Sequence, residues 1–240
     1  MKGVILCGGA GTRLSPLTNV TNKHLLPVFN KPMIYYPLQT LIDAGIKDIL
    51  IVTGGESVGD FLRLLGSGRD RDVRFTYRCQ DGSGGIPVAL SLAREFVDDK
   101  KFVCILGDNV MEKSIKNEVD SFVKSRKGAK ILLQKVNDPQ RFGLAEIKNN
   151  KLVATYEKPS NPKTDLAIIG VYMFDGKVFD IIPKLKPSRR NELEITEVID
   201  HYIKNDNIDY SFVDGFWIDA GTFGSLYKAT MFIADRENKK

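Results

Sequence analysis

Six consecutive residues near the N-terminus, Gly8-Gly9-Ala10-Gly11-Thr12-Arg13, combine what a phosphate-binding loop requires. Glycines let the backbone approach a ligand closely and turn N–H groups toward anionic oxygens. Arg13 adds a planar fork suited to bidentate contact with phosphate. Two well-known phosphate loops do not fit. The dinucleotide fingerprint asks for a glycine where Leu14 stands, and for a helix that opens at once, which Pro16 opposes. The P-loop asks for Gly-Lys followed by Ser or Thr, and the chain has no such tripeptide. The segment is therefore a phosphate cradle of a third kind, or a plain tight turn.

Further along, Lys23 offers a compact charge for an isolated phosphate; a solvated surface lysine is the plain alternative. Asp108, in Leu106-Gly107-Asp108-Asn109, follows an apolar run. A carboxylate at the end of a buried strand either holds a divalent cation, with waters and substrate phosphates, or closes an Asx turn. Asp219, in Trp217-Ile218-Asp219-Ala220-Gly221-Thr222, is the natural second carboxylate for a cation. Glu157-Lys158-Pro159 ends a strand pattern and can turn both charges into a cleft. Glu192-Leu193-Glu194-Ile195-Thr196 reads as an acidic helix start, favourable with the helix dipole. His24 and His201 lack ligand or triad spacing and read as structural; Trp217 reads as core. Nucleophilic Ser-His-Asp and Cys-His arrangements find no support. What remains is the handling of anions.

These residues need a frame that brings loop ends together. Apolar runs at residues 3–7, 46–53, 73–77 and 101–106 read as strands. Helical spacings at 37–44, 58–65 and 87–96 separate them. Strands that are apolar throughout and alternate with helices imply a parallel sheet covered on both faces, with right-handed connections. Beyond Gly128 strands dominate: 129–136, a hairpin of 143–147 with 152–157 around Asn149-Asn150, and 167–174. Short helices near 177–182 and 195–202 precede a closing helix at 222–236. The fold class expected is α/β, a doubly wound, mostly parallel sheet with a strand-rich second lobe. One domain spans 1–240, with a first part over 1–128, the strand-rich lobe over 129–221 and the closing helix after it. Ligands of such sheets bind where the parallel strands end.

Composition excludes several classes. With 240 residues the chain can bury a core without disulfides or structural metals. A net charge of +5 without a long basic run suits anionic metabolites and gives little reason to expect nucleic acid. Cys7, Cys79 and Cys104 lack disulfide or metal spacing, so a reducing, cytoplasmic setting is expected. No apolar run reaches membrane length, and the first one is too short for a signal peptide.

Taken in order, the motifs resemble the sugar-1-phosphate nucleotidylyltransferases, most of all the glucose-1-phosphate thymidylyltransferase branch. The resemblance covers nearly the whole chain. It is carried by Gly8–Leu14, the segment KHLLPVFNKPMIYYPL from Lys23 to Leu38, Gln80 with Gly85, and Gly107-Asp108-Asn109. Phe142-Gly143, Glu157-Lys158-Pro159, Glu192–Thr196 and Trp217–Thr222 continue it. The resemblance implies transfer of a nucleotidyl group from dTTP to glucose-1-phosphate, giving dTDP-glucose and pyrophosphate by Mg²⁺-dependent in-line displacement. It assigns Gly8, Gly9, Ala10, Gly11, Thr12 and Arg13 to the triphosphate, and Gln80 and Gly85 to the base. Lys23 meets the reacting phosphates, and Asp108 with Asp219 holds the metal. Glu157, Lys158, Gly143, Gly170 and Tyr172 take the sugar phosphate. Arg13, Lys23 and Asp108 form the catalytic group, and a homo-oligomer is implied.

Two departures from the family pattern stand out. Phe142 replaces a tyrosine common in relatives, and Pro87 replaces an alanine in the base-binding run. The longer relatives carry C-terminal helices with a regulatory nucleotide site, and the feedback site is expected to be absent or rebuilt here. Rival readings are a uridylyl or cytidylyl transferase of the same chemistry and a non-catalytic sugar-nucleotide sensor. A sensor would be free to lose Arg13, Lys23, Asp108 or Asp219; all four are present.

Overall fold

The computed structural model describes residues 1–239. In the first half, β1 (Lys2–Cys7) leads through the small hairpin β2 (Pro27–Val28) and β3 (Lys31–Pro32) to α1 (Tyr35–Asp43). There follow β4 (Asp48–Gly54), α2 (Val58–Leu65), β5 (Arg74–Gln80), the short α3 (Ile86–Ser91) and α4 (Arg94–Val97), and β6 (Phe102–Leu106). Next come β7 (Asn109–Met111) and α5 (Lys116–Lys124). The second half holds β8 (Ala129–Lys135), β9 (Gly143–Lys148), β10 (Lys151–Glu157) and β11 (Leu166–Phe174). It closes with α6 (Val178–Ile181), α7 (Ile195–Lys204), β12 (Ile208–Phe212), β13 (Trp217–Asp219) and α8 (Phe223–Glu237).

One nine-stranded sheet carries the order β10-β9-β11-β6-β1-β4-β5, with β8 pairing β11 and β12. The strands β6, β1, β4 and β5 are mutually parallel, as their unbroken apolar runs imply. Both faces of β1 are covered: Val4 and Leu6 belong to one apolar cluster, Ile5 and Cys7 to the other. The sheet as a whole is mixed, because β11 runs antiparallel to β6 and to β8. That pairing joins the second half directly to the first.

The reading of 87–96 as one helix gives way to two short ones. Ala93 N–H bonds to Leu90 O in a tight i−3 turn that separates α3 from α4. The hairpin turn at Asn149 and Asn150 has both residues at positive φ, 51° and 58°, the geometry that two-residue hairpins favour. Among the described residues no helix is long and apolar enough to cross a membrane.

Candidate active site

The parallel strands deliver three of the motifs to one edge. Leu6 is in register with Leu106, and Gly54 with Gln80, so the residues after β1 and β6 and the last residue of β5 share the carboxyl edge. Gly107 N–H bonds to Leu6 O at 2.9 Å and extends the ladder, setting Asp108 beside the glycine loop. Room is tight: a Cβ on Gly107 would lie 2.6 Å from the His24 ring and 2.7 Å from Cys7 Sγ. The loop itself forms no α-helix. It turns through Gly9 and Gly11, both at positive φ, into the short 3₁₀ turn Thr12–Leu14.

Asp219 reaches the same place by another route. The strand β13 pairs antiparallel with β7, placing Asp219 opposite Asn109, and Ala220 N–H bonds to Asp108 O at 2.9 Å. A Cβ on Gly221 would lie 2.7 Å from Asp219 Oδ1, 3.0 Å from Arg13 Nη2 and 3.4 Å from Asp108 Oδ2. Both carboxylates and the guanidinium thus border one small volume that only glycine leaves open. Lys23 donates to Asp108 Oδ2 at 2.5 Å, and Arg13 Nη2 stands 4.0 Å from Asp219 Oδ2.

The electrostatics follow from this packing. Burial opposes the charge on Asp108, but Lys23 beside it more than compensates and holds the carboxyl well below the ordinary range. Burial likewise opposes the Lys23 charge, yet Asp108 and Asp219 raise its pKa above the usual lysine value. Asp219 moves the other way, pushed up by burial and by the Asp108 charge. His24, fully enclosed, is brought down to about 3 by burial and by Lys23. It stays neutral, with Nδ1 2.7 Å from Asn22 Oδ1, and it also lines the first cavity described below.

Two cavities meet at the pair. One is lined by Gly8, Gly9, Gln80, Gly85, Ala89 and Glu194. The other is lined by Arg13, Gly143, Gly170, Tyr172, Trp217 and Asp219. Lys23, Asp108, Glu157 and Lys158 line both. Separately they hold about 230 and 200 Å³, less than the roughly 300 Å³ at which small-molecule pockets begin; joined, they pass it.

In the first cavity the Gln80 side-chain amide makes no hydrogen bond among the described residues although the residue is 7% exposed, which leaves its donor and acceptor for a ligand. Gly85 sits at φ 89° so close to the Leu193 carbonyl that a side chain would collide with it. In the second, the β9–β10 hairpin sets Gly143 opposite Glu157. Gly170 lies where β11 shifts register, and a Cβ there would meet Asn109 Nδ2 at 2.5 Å. Thr196 Oγ1 donates to Glu157 Oε2 at 3.2 Å, and Arg190 Nη2 donates to Glu157 Oε1 at 3.2 Å. Burial lifts the Glu157 pKa.

Of the residues expected at the site, Ala10, Gly11 and Thr12 line neither cavity; the rest line one or both. Trp217, partly buried, packs against the core as expected. It also walls the second cavity, its Nε1 donating to Asn109 Oδ1 at 2.6 Å and its ring 5.5 Å from that of Phe142. Arg141, Arg190 and Thr196 were not singled out as site residues, and each lines a cavity. Arg190 had a weak signal in its position just before the acidic Glu192–Thr196 motif.

As a cation site, Asp108 and Asp219 supply two hard oxygen ligands on one open volume. Among the described residues no cluster of three His, Cys, Asp or Glu side chains could hold a metal alone. That donor set suits Mg²⁺, which keeps water and substrate phosphates as its other ligands.

Comparison with known proteins identifies the family. Residues 2–236 match the Nucleotidyl transferase family. The chain belongs to that family. A glucose-1-phosphate thymidylyltransferase of Neisseria meningitidis is 39% identical over 242 residues, covering 99% of this chain and 84% of the relative. Another, from Xanthomonas campestris, is 40% identical over 236 residues, covering 97% and 80%. A crystal structure of a Bacillus anthracis protein provisionally named a glucose-1-phosphate thymidylyltransferase, in complex with a sucrose, superposes with a TM-score of 0.93. It is 49% identical, with 97% of this chain and 94% of that one covered. A UDP-glucose pyrophosphorylase complexed with UDP-glucose shares the fold, at a TM-score of 0.86 and 23% identity over 98% of both chains.

Proposed function

We propose that this nucleotidyl transferase moves a thymidylyl group from dTTP to glucose-1-phosphate, releasing pyrophosphate and giving dTDP-glucose. The observation that carries the reading is the joining of the two cavities at Lys23 and Asp108. The base and triphosphate occupy the first, the sugar phosphate the second, and the reacting phosphates meet at the pair. Names borne by the relatives at 39–40% identity support dTTP and glucose-1-phosphate as the substrates.

The chain's own residues have mainly to align anions and offset their charge. A sugar phosphate carries about −2 charge near neutral pH and must approach a second anion. Its oxygen attacks the α-phosphorus; the bond from that phosphorus to the α–β bridging oxygen breaks, and pyrophosphate leaves with the electron pair. The nucleophile is already ionised, so no general base is needed. Neutral His24 fits that requirement. Lys23 stays protonated beside the reacting centre, Arg13 and the loop amides hold the leaving phosphates, and Lys158 neutralises the incoming one. Gln80 bonds the base edge, while Glu157, Thr196 and Tyr172 meet sugar hydroxyls. Asp108 and Asp219 would hold Mg²⁺, which would supply positive charge to offset that of the substrate phosphates. Alignment and charge stabilisation suffice for such phosphoryl chemistry.

Pyrophosphate release tests the proposal, using Mg²⁺, glucose-1-phosphate and a panel of nucleoside triphosphates with dTTP. Release with dTTP is expected, and none when substrate or metal is omitted. Faster release with UTP or CTP would overturn the base assignment. Silence with every triphosphate and a panel of sugar phosphates would overturn the enzyme.

A further inference from the structure

We propose that Trp217 is a positioning residue for the cation site: its indole N–H fixes the Asn109 side-chain amide, and that amide steadies the Asp108 carboxylate. The inference deepens the function proposed above and rests on its cation site. Its starting point is a diagonal contact across a very short ribbon. The strands β7 and β13 are three residues each, and Asp219 stands opposite Asn109. Residues two apart on a strand share a face, as do residues directly opposite on paired strands, so Trp217, Asp219 and Asn109 lie on one face. Across that face Trp217 Nε1 donates to Asn109 Oδ1 at 2.6 Å.

The direction of that bond carries the argument. An indole N–H can only donate, so the atom it meets is the amide oxygen. The amide nitrogen is thereby turned the other way, where it donates to Asp108 Oδ1 at 3.5 Å. This contact is at the long end, so its value lies in polarity more than in strength. With the amide reversed, its oxygen would face a carboxylate oxygen, two acceptors with no proton between them. Asn109 is 1% exposed, and Gly170 leaves room for the nitrogen, since a Cβ there would come within 2.5 Å of Nδ2.

The carboxylate divides its oxygens between two surroundings. Asp108 Oδ2 meets Lys23 at 2.5 Å and borders the volume shared with Asp219, 3.4 Å from where a Cβ on Gly221 would stand. Oδ1 is the oxygen that Asn109 faces. A group that bonds a metal-binding carboxylate from outside sets its orientation, and losing such a group typically costs about 10- to 100-fold in metal affinity or activity. One three-residue strand, β13, thus supplies Asp219 directly and orients Asp108 through Asn109.

The test separates the indole N–H from the ring, whose packing on Phe142 a phenylalanine largely keeps. W217F, N109A and the double variant are compared with the wild type by Mn²⁺ titration, followed by water-proton relaxation. The enzyme is saturated with dTDP-glucose, and with pyrophosphate left out nothing turns over. W217F and N109A are each expected to weaken Mn²⁺ binding about 10- to 100-fold. Because one acts through the other, the double variant should match N109A within about twofold. The chain has one tryptophan, so its indole N–H gives a single ¹⁵N–¹H resonance. That resonance should move in N109A, a readout that holds even if W217F does not fold. Unchanged Mn²⁺ affinity in W217F, losses that multiply in the double variant, no Mn²⁺ uptake by the wild type, or an indole resonance unmoved in N109A would each overturn the inference and leave the transfer chemistry to its own test. Failure of the wild type to bind dTDP-glucose in calorimetry counts against the proposed function instead, and the same pattern is then required of the free enzyme.

Discussion

Lys23 Nζ and Asp108 Oδ2 lie 2.5 Å apart in a pair almost closed to solvent, with 14% and 8% of the two side chains exposed. Each holds the other charged: the lysine pKa is raised and the aspartate pKa lowered. Asp219 and Arg13 stand at the same volume, so the four side chains formally cancel. Two phosphate-bearing substrates entering that volume bring a large negative excess. Nothing in the four residues offsets it alone, which is the electrostatic case for a divalent cation between the carboxylates.

Removing Lys23 should have two separable effects. Lys23→Met leaves Asp108 buried without its counter-charge, at an expected cost of about 3–5 kcal/mol in stability. It also removes a cation aimed at the reacting phosphates, lowering turnover about 100- to 1000-fold. Adding Asp108→Asn to Lys23→Met should restore most of the stability and none of the activity. Urea denaturation and pyrophosphate release measure the two effects, and activity regained in the double variant would remove the pair from the chemistry.

The two carboxylates should answer to the same substitution with opposite signs. Asp108 has a folded pKa below its unfolded value, so its charge stabilises the fold at neutral pH, and Asp108→Asn is expected to lower the melting temperature. For Asp219 the folded pKa is raised, so stability falls as pH rises from the unfolded carboxylate value through the folded one. Asp219→Asn should therefore raise the melting temperature, measured without metal or nucleotide. Both variants should abolish Mg²⁺-dependent turnover. Melting shifts of the same sign would contradict the electrostatic assignment.

The buried, helix-flanked strands were legible because periodicity and burial coincide: β1, β4, β6 and α2 each read as unbroken or cleanly spaced apolar runs. Less regular segments were not. The helix α5 buries only Val119 and Phe122 and presents polar residues elsewhere, so its pattern is faint. The strand β12 is a half-exposed edge with no alternation, and β7 and β13 are three residues each. Arg13, Lys23, Asp108 and Asp219 stand out by residue type in compact motifs, whereas Gln80, Gly85, Gly143, Gly170 and Tyr172 are singled out only by the family resemblance. Arg141 escaped because an arginine in a Pro-Gln-Arg turn carries no local sign of facing a cavity; only the fold of β9 against β11 and β13's position across from β7 put it there. The second role of Trp217 was hidden for a related reason: hydrophobicity marks its packing against the core but not that it also walls a pocket.

His24 should impose a pH dependence on stability apart from activity. Its ring is enclosed and its pKa reduced to about 3, against about 6.5 for an unfolded histidine. Between those values the unfolded chain binds a proton that the folded one does not. Stability is therefore retained above about pH 6.5 and is lost as pH falls toward 3, by up to about 1.4 kcal/mol per pH unit. His24→Asn keeps a donor near the Nδ1 position for Asn22 and removes the titration. Denaturation curves between pH 4.5 and about 7 should show a shallower slope in that variant. An identical slope would mean that His24 is not held neutral.

Gln80 should govern which base is accepted more than how fast it reacts. Its amide faces the first cavity with donor and acceptor both uncommitted, and the backbone after Gly85 leaves space beside it. Gln80→Ala removes both hydrogen bonds to the base edge while leaving Lys23, Asp108 and Asp219 in place. A bound base then loses about 1–3 kcal/mol of interaction, or about 5- to 150-fold in KM for the triphosphate. Turnover at saturating triphosphate should change far less, since the reacting phosphates are held by other residues. The ratio of kcat/KM for dTTP against dATP and dCTP is the deciding measurement: it should collapse in Gln80→Ala. If the ratio is preserved while kcat drops, Gln80 supports the reacting centre instead of the base.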